Sequence, residues 1–214
     1  WGVTAQMTPE GEHFLLAINL LVVSGLLTAS FVDLDCFEIP DSVSIGGMVL
    51  APIAAFAAPS LHQHTWLAQQ VSGGLEVTRS GALVAALGGM VVGGGILLLV
   101  GRLGARAYGR DAMGLGDVKL LAAGGGFVGP GGVLVALLIG SVTASVVGVS
   151  NLIRFYCLVR ARDRSRGRDR TRGRAWRTAR FVSQYLPFGP HLALGVALAL
   201  LSWEPHLRAW FLGV

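Results

Sequence analysis

The sequence predicts an all-α fold, a polytopic membrane helical bundle of about six transmembrane helices. Three observations predict it. Charged residues make up only 14% of the chain, against about 25% in a soluble domain. Mean hydropathy is +0.63, and apolar stretches long enough to enter a bilayer recur along the chain. The 31 glycines suit helices that pack closely in a membrane, where small residues let backbones approach.

The first segment, 14–32, holds 19 predominantly apolar residues. At about 1.5 Å per residue this crosses a hydrocarbon layer of roughly 30 Å. It follows Glu10 and Glu12 rather than a basic stretch, which argues against a cleaved signal peptide. Residues 43–58 form a shorter second span, with a kink expected at Pro52. Residues 59–80 are polar, with His62, His64, Trp66 and Gly73-Gly74, and read as a loop carrying a short interfacial helix. Residues 81–100 give a third span. Residues 117–128 give a short fourth, marginal for crossing and stopped by Gly129-Pro130. The fifth and sixth spans are 132–153 and 186–203. One membrane domain thus covers 1–214, and its Trp1 start suits a processed product or a piece of a longer protein. Cys36 and Cys157 form no C-x-x-C pair, so neither a zinc site nor a disulfide framework is indicated.

Lysine and arginine predict the orientation, because cytoplasmic loops carry them in excess. With sides alternating, 33–42, 101–116 and 154–180 share one face. That face holds Arg102, Arg106 and Arg110, with Lys119 close behind, and eleven arginines between 154 and 180. The other face holds Arg79 and Arg208 beside Glu10, Glu12, Glu76 and Glu204. Fifteen basic residues against two predict that 33–42, 101–116 and 154–180 are cytoplasmic and both termini outside.

Two acidic motifs then fall at one membrane boundary. "DLDCFEIPD" (33–41) follows span one, and "GLGD" (114–117) opens span four. An ionisable carboxyl at a membrane helix end is costly and marks a working site. Asp33 and Asp117 lie at the same depth, so they face one another if spans one and four are neighbours. Two carboxyls a few ångströms apart cannot both ionise cheaply. The protonated member can polarise a peptide carbonyl while the ionised one deprotonates a water, the arrangement of an aspartic protease. Gly114 and Gly116 clear space for a substrate backbone and permit unusual backbone angles. Asp117 also meets the positive end of its helix dipole.

Plainer roles compete with these. Asp117 has the spacing of an N-cap for span four, and Asp41, before Ser42, that of a cap for span two, with Pro40 setting the chain direction into it. Asp35 and Glu38 read as solvated acids or as attractors of a basic substrate segment. Lys119 reads as a snorkelling lysine or as a modulator of Asp117. His62 and His64 have the spacing of a metal pair, but with no third ligand nearby they read as a solvated loop.

The two motifs resemble those of the bacterial prepilin peptidases, which carry D-x6-P-D and G-x-G-D. "LPFGPHLALG" (186–195) looks like that family's last helix, and the resemblance runs from about residue 14 to 201. It implies an aspartic-type endopeptidase of the cytoplasmic (inner) membrane, active site toward the cytoplasm, with Asp33 and Asp117 as the catalytic pair. It implies a prepilin or pseudopilin substrate, whose short basic leader is cut off after a glycine where an apolar helix enters the bilayer. It implies no metal or organic cofactor. Asp35, Glu38 and Asp41 are then candidates to receive the basic leader. Many bacterial members carry an N-terminal zinc methyltransferase portion with two C-x-x-C pairs. No such pairs occur here, so methylation is not carried over.

The arginine tract 160–180 invites a nucleic-acid reading, but Trp176 is its only aromatic for base stacking. Between two spans it reads instead as a topology signal and a contact for anionic lipid, with no nucleic acid as partner. Two other classes stand beside the peptidase. A signal-peptide-peptidase-like protease would pair G-x-G-D with Tyr-Asp and Pro-Ala-Leu, whereas Asp33 follows Val32 and no Pro-Ala-Leu occurs. An ion-coupled transporter or channel would set its acids near midplane within inverted repeats, and neither feature is evident.

Overall fold

The computed structural model describes residues 9–74, 76–109, 113–165 and 187–203. All regular structure among them is helical. In chain order come α1 (Pro9–Cys36), α2 (Asp41–Ala57), a 3-10 turn (Pro59–His62), α3 (Trp66–Ser72), α4 (Arg79–Tyr108), α5 (Leu115–Ser165) and α6 (Gly189–Trp203). Three stretches are long and apolar enough to cross a membrane: His13–Cys36, Arg79–Ala107 and Leu115–Arg162. α2 and α6 are shorter apolar helices.

The predicted fourth and fifth spans are the two arms of α5, divided at Gly129. Its φ of 74° and ψ of 177° lie in a region essentially reserved for glycine. Pro130 then opens the second arm, as proline does at a first helical position. The arms double back on one another. A straight helix would put Val133 about 12 Å from Gly125, yet the Val133 side chain packs beside Gly125 and Gly93. Both arms also meet one turn of α6, Gly124 against Val196 and Ala136 against Gly195.

The first arm is the centre of the molecule. Residues 120–129 are all buried, enclosed by α2, α4, α6 and the second arm. A helix too short to span a bilayer is thus surrounded by protein rather than lipid. The small residues of "LLAAGGGFVG" allow this: at the α4 crossing, a Cβ on Gly89 would overlap the Gly125 carbonyl. Close backbone packing replaces a hydrophobic driving force that lipid does not supply.

α1 shows the opposite pattern, with one stripe inward and the rest outward. Leu15, Ile18, Val22, Leu26 and Ala29 are buried at helical spacing, while Leu20, Leu27 and Phe31 are exposed. The next position on the buried stripe is Asp33. α2 runs through Pro52 without interruption.

Two expectations change here. The fifth span continues as helix to Ser165, well past 153, and takes in the first arginines of the basic tract, where Arg160 donates to the Tyr156 hydroxyl at 3.3 Å. The rest of 160–180 lies outside the described residues. Second, His62 is not in a solvated loop; it is fully buried, under the turn at Gly129 and near Thr65. Missing a side chain, Gly129 leaves room for both. His64 is exposed, as expected.

Candidate active site

The site forms where the ends of three helices meet. α1 closes at Cys36, and Phe37 adopts a left-handed conformation (φ 54°), rare for a residue with a bulky side chain. Its N–H donates to the Asp33 carbonyl at 3.0 Å, which closes the last turn as a left-handed C-cap does. The chain then turns through Glu38, Ile39 and Pro40 into α2. Ile39 packs on the first turn of α5 at Gly116 and on the first turn of α6 at Gly189. One isoleucine thereby sets the spacing between two helix N-termini.

Asp33 is buried, at 6% exposure. Its Oδ2 accepts the backbone N–H of Gly189 at 3.0 Å, so the last turn of α1 is tied to the N-terminus of α6. A helix N-terminus carries unpaired donors and partial positive charge, both of which favour an acceptor carboxylate. Any side chain on Gly189 would meet that oxygen at 2.6 Å and Ile39 Cδ1 at 3.1 Å. Only glycine fits.

Asp117 is half-buried. α5 begins at Leu115, so Asp117 stands in the first turn of the helix and is not its N-cap, which corrects the plainer reading. The carboxyls of Asp33 and Asp117 are close enough to act on each other electrostatically. Two adjoining hollows expose both. One, of about 460 Å³, is lined by the pair with Phe37, Met113, Gly114 and Phe188. The other, of about 670 Å³, extends past Glu38, Pro40, Asp41 and Gly116.

The remaining predicted site residues separate. Gly114 lies beside Asp117, where a Cβ would stand 3.6 Å from its Oδ2, and Gly116 makes room for Ile39. Glu38 is exposed on the cavity wall. Asp35 is exposed on α1 and lines neither hollow. Asp41 is not a cap: α2 is preceded by Pro40 with no side-chain capping bond. The Asp41 carboxylate instead takes Lys119 Nζ at 2.6 Å. Lys119 is therefore committed to Asp41 rather than to Asp117, and the pair joins the first turns of α2 and α5. No group of three His, Cys, Asp or Glu side chains converges as a metal site among the described residues.

Sequence reasoning missed Gly189, Ile39, Phe37 and Phe188 as parts of the site. The signal for Gly189 was present in "PFGP", a glycine between prolines where a helix starts. What it touches is a tertiary fact.

Comparison with known proteins bears on the family of the chain. A model of the type IV leader peptidase family matches residues 20–149. The chain is 25% identical over 197 residues to the prepilin leader peptidase/N-methyltransferase of Aeromonas hydrophila, covering 90% of this chain and 51% of that one. It is 28% identical over 214 residues to the protein of the same description from Aeromonas salmonicida (strain A449), covering 98% and 56%. The chain thus spans about half the length of the curated relatives it matches. No solved structure matches it. An all-helical membrane bundle with two aspartates meeting at helix ends, matched over most of its length by that model, belongs to the type IV leader peptidase family.

Proposed function

We propose that this chain is an aspartic endopeptidase that removes the basic leader of prepilins or pseudopilins at the cytoplasmic face of a bacterial inner membrane. The observation that carries the reading is the meeting of Asp33 and Asp117 in one cavity, each beside a helix N-terminus. The relatives' description as prepilin leader peptidases supports the substrate class. The orientation is supported by the arginine bias: Arg102 and Arg106 fall in the last two turns of α4, and Arg154, Arg160 and Arg162 late in α5.

The mechanism divides the pair by environment. Asp33, already accepting the Gly189 N–H, acts as the base and takes a proton from a water held between the carboxyls. Asp117, its partner across the cavity, holds the proton and donates a hydrogen bond to the scissile carbonyl. Water attacks the carbonyl carbon, and a C–O bond forms as Asp33 gains the proton. Collapse breaks the C–N bond, and the proton passes to the departing amine. General acid–base assistance of this kind is worth about 10²–10⁴-fold in rate. Glu38 and Asp41 on the cavity wall give the basic leader its acidic partners. Asp41 shares its charge with Lys119, so Glu38 is the stronger candidate. Contact of anionic lipid with the tract 160–180 belongs to the same proposal and follows from its charge alone.

The test is cleavage by the purified chain in lipid nanodiscs of a peptide with a basic leader, a glycine and an apolar helix, the product mapped by mass spectrometry. A single cut after the glycine is expected. No cut, or cuts scattered along the leader, would contradict the reading.

A further inference from the structure

The dyad cavity is not the only hollow at this end of the bundle. A groove of about 410 Å³ runs between α1, α2 and the first arm of α5. Its α1 wall includes Ser24 and Thr28, its α2 wall Gly46 and Leu50, and its floor Ala123 and Phe127. α1 and α2 are consecutive helices, yet they leave this space between them. It adjoins the dyad cavity on two elements: Asp41 lines the cavity and Ser42 the groove, Asp117 the one and Leu120 the other.

The groove is open sideways, because Ser24, Thr28 and Gly46 are exposed. A Cβ added to Gly46 would have nothing within 4 Å. It is also dry in its chemistry. The Ser24 and Thr28 hydroxyls are spent on the Leu21 and Ser24 carbonyls at 2.8 and 2.9 Å. The α1 wall therefore asks nothing polar of an occupant. From Thr28 back to Leu21 the groove extends for about 10 Å, some two turns of helix. The adjoining cavity wall carries Glu38 and Asp41. A ligand filling both hollows must change from basic to apolar within a few residues, and the dyad sits at that change.

We propose that this groove is the docking site for the substrate's apolar helix, holding its first two turns on the C-terminal side of the scissile bond. The inference rests on the peptidase reading above and adds to it where the retained part of the substrate lies. Gly46 is then a specificity position, since its missing side chain opens the groove to a helix arriving from the bilayer.

The test places a photo-crosslinking residue at Gly46 or, as a control, at Val49, exposed on the same helix but outside the groove. Each variant of the full chain in nanodiscs receives a membrane-inserted peptide with a basic leader and an apolar helix, and unmodified chain is assayed for cleavage in parallel. Adducts from position 46 on the first turns of the apolar helix, at least tenfold above those from 49, are expected. Cleavage with equal adducts, none from 46, or adducts to lipid alone would overturn the groove and leave the peptidase intact. Adducts from 46 without cleavage would overturn the peptidase reading instead. As a second readout, Gly46→Trp should raise KM for this peptide at least tenfold with kcat kept, while Val49→Trp changes neither. An unchanged KM in Gly46→Trp also counts against the groove.

Discussion

The two ends of the α5 hairpin each bury an ionisable side chain, and they do so differently. At the dyad end Asp33 is buried but has an ionisable neighbour, a backbone donor and two open hollows. At the turn, His62 is fully buried beneath Gly129 with Thr65 at 3.5 Å, and it lines none of the hollows described above. Burial alone therefore does not make a site. On the peptidase reading the dyad has an ionisable partner and access to a cavity, whereas His62 is paired with neutral Thr65 and lines neither dyad hollow. The fold permits both because glycine opens the space in each case, Gly189 against Asp33 and Gly129 against His62.

That comparison is most easily broken at Gly189. Gly189→Ala puts a carbon on the Asp33 carboxylate, and a misplacement of about 1 Å in a catalytic group costs on the order of 10²-fold in rate. Cleavage should fall by about that much through kcat, measured on the nanodisc-held protein. A wild-type kcat would mean that the α6 contact does not orient the dyad.

His62 should act on stability and not on cleavage. Burial lowers its pKa to about 4, with a contact to the Gly126 backbone opposing in part. The unfolded chain binds a proton at its ordinary value near 6.5 while the folded chain does not. Stability is thus fully kept above about pH 6.5 and lost progressively as pH falls toward 4, by up to about 3 kcal/mol. Thermal melts at pH 5 and pH 7.5 should differ more for wild type than for His62→Gln, with cleavage at neutral pH equal in both. An equal pH dependence in the two proteins would remove His62 as the brace.

Gly129→Ala should be smaller, about 1–3 kcal/mol, from forcing a side chain into glycine-only backbone and against Thr65. Its melting temperature should drop while cleavage per folded molecule holds. The Asp41–Lys119 pair should matter least. Asp41 is largely exposed and Lys119 partly so, at 62% and 36%, and such solvent-accessible pairs contribute about 0.2–1 kcal/mol. Lys119→Met should barely change the melt. Restoration of any loss by the swap Asp41→Lys with Lys119→Asp would identify it as electrostatic.

Much of this architecture was legible because it is local. Apolar run lengths mark the spans, Gly129-Pro130 marks the hairpin turn, and the two acidic motifs mark the end of α1 and the start of α5. Asp33 even keeps the register of the buried α1 stripe, which a helical count from Leu15 predicts. The errors came where a distant element decides. His62 sits in a polar stretch that reads as solvated, and only the side-chain-free turn of α5 gives it a place to be buried. Asp41 has the sequence of a cap, but a lysine brought in from α5 competes for its carboxylate and wins. Gly189 gave no hint of its partner, since its donor meets Asp33 only after α1 and α6 pack.

The most direct measurement is cleavage of the leader-bearing peptide by wild type, Asp33→Asn and Asp117→Asn, each checked for an unchanged melting temperature. The dyad predicts that either substitution lowers the rate by at least about 10²-fold, with substrate still bound. Wild-type cutting by either variant would contradict it and return that aspartate to a structural role.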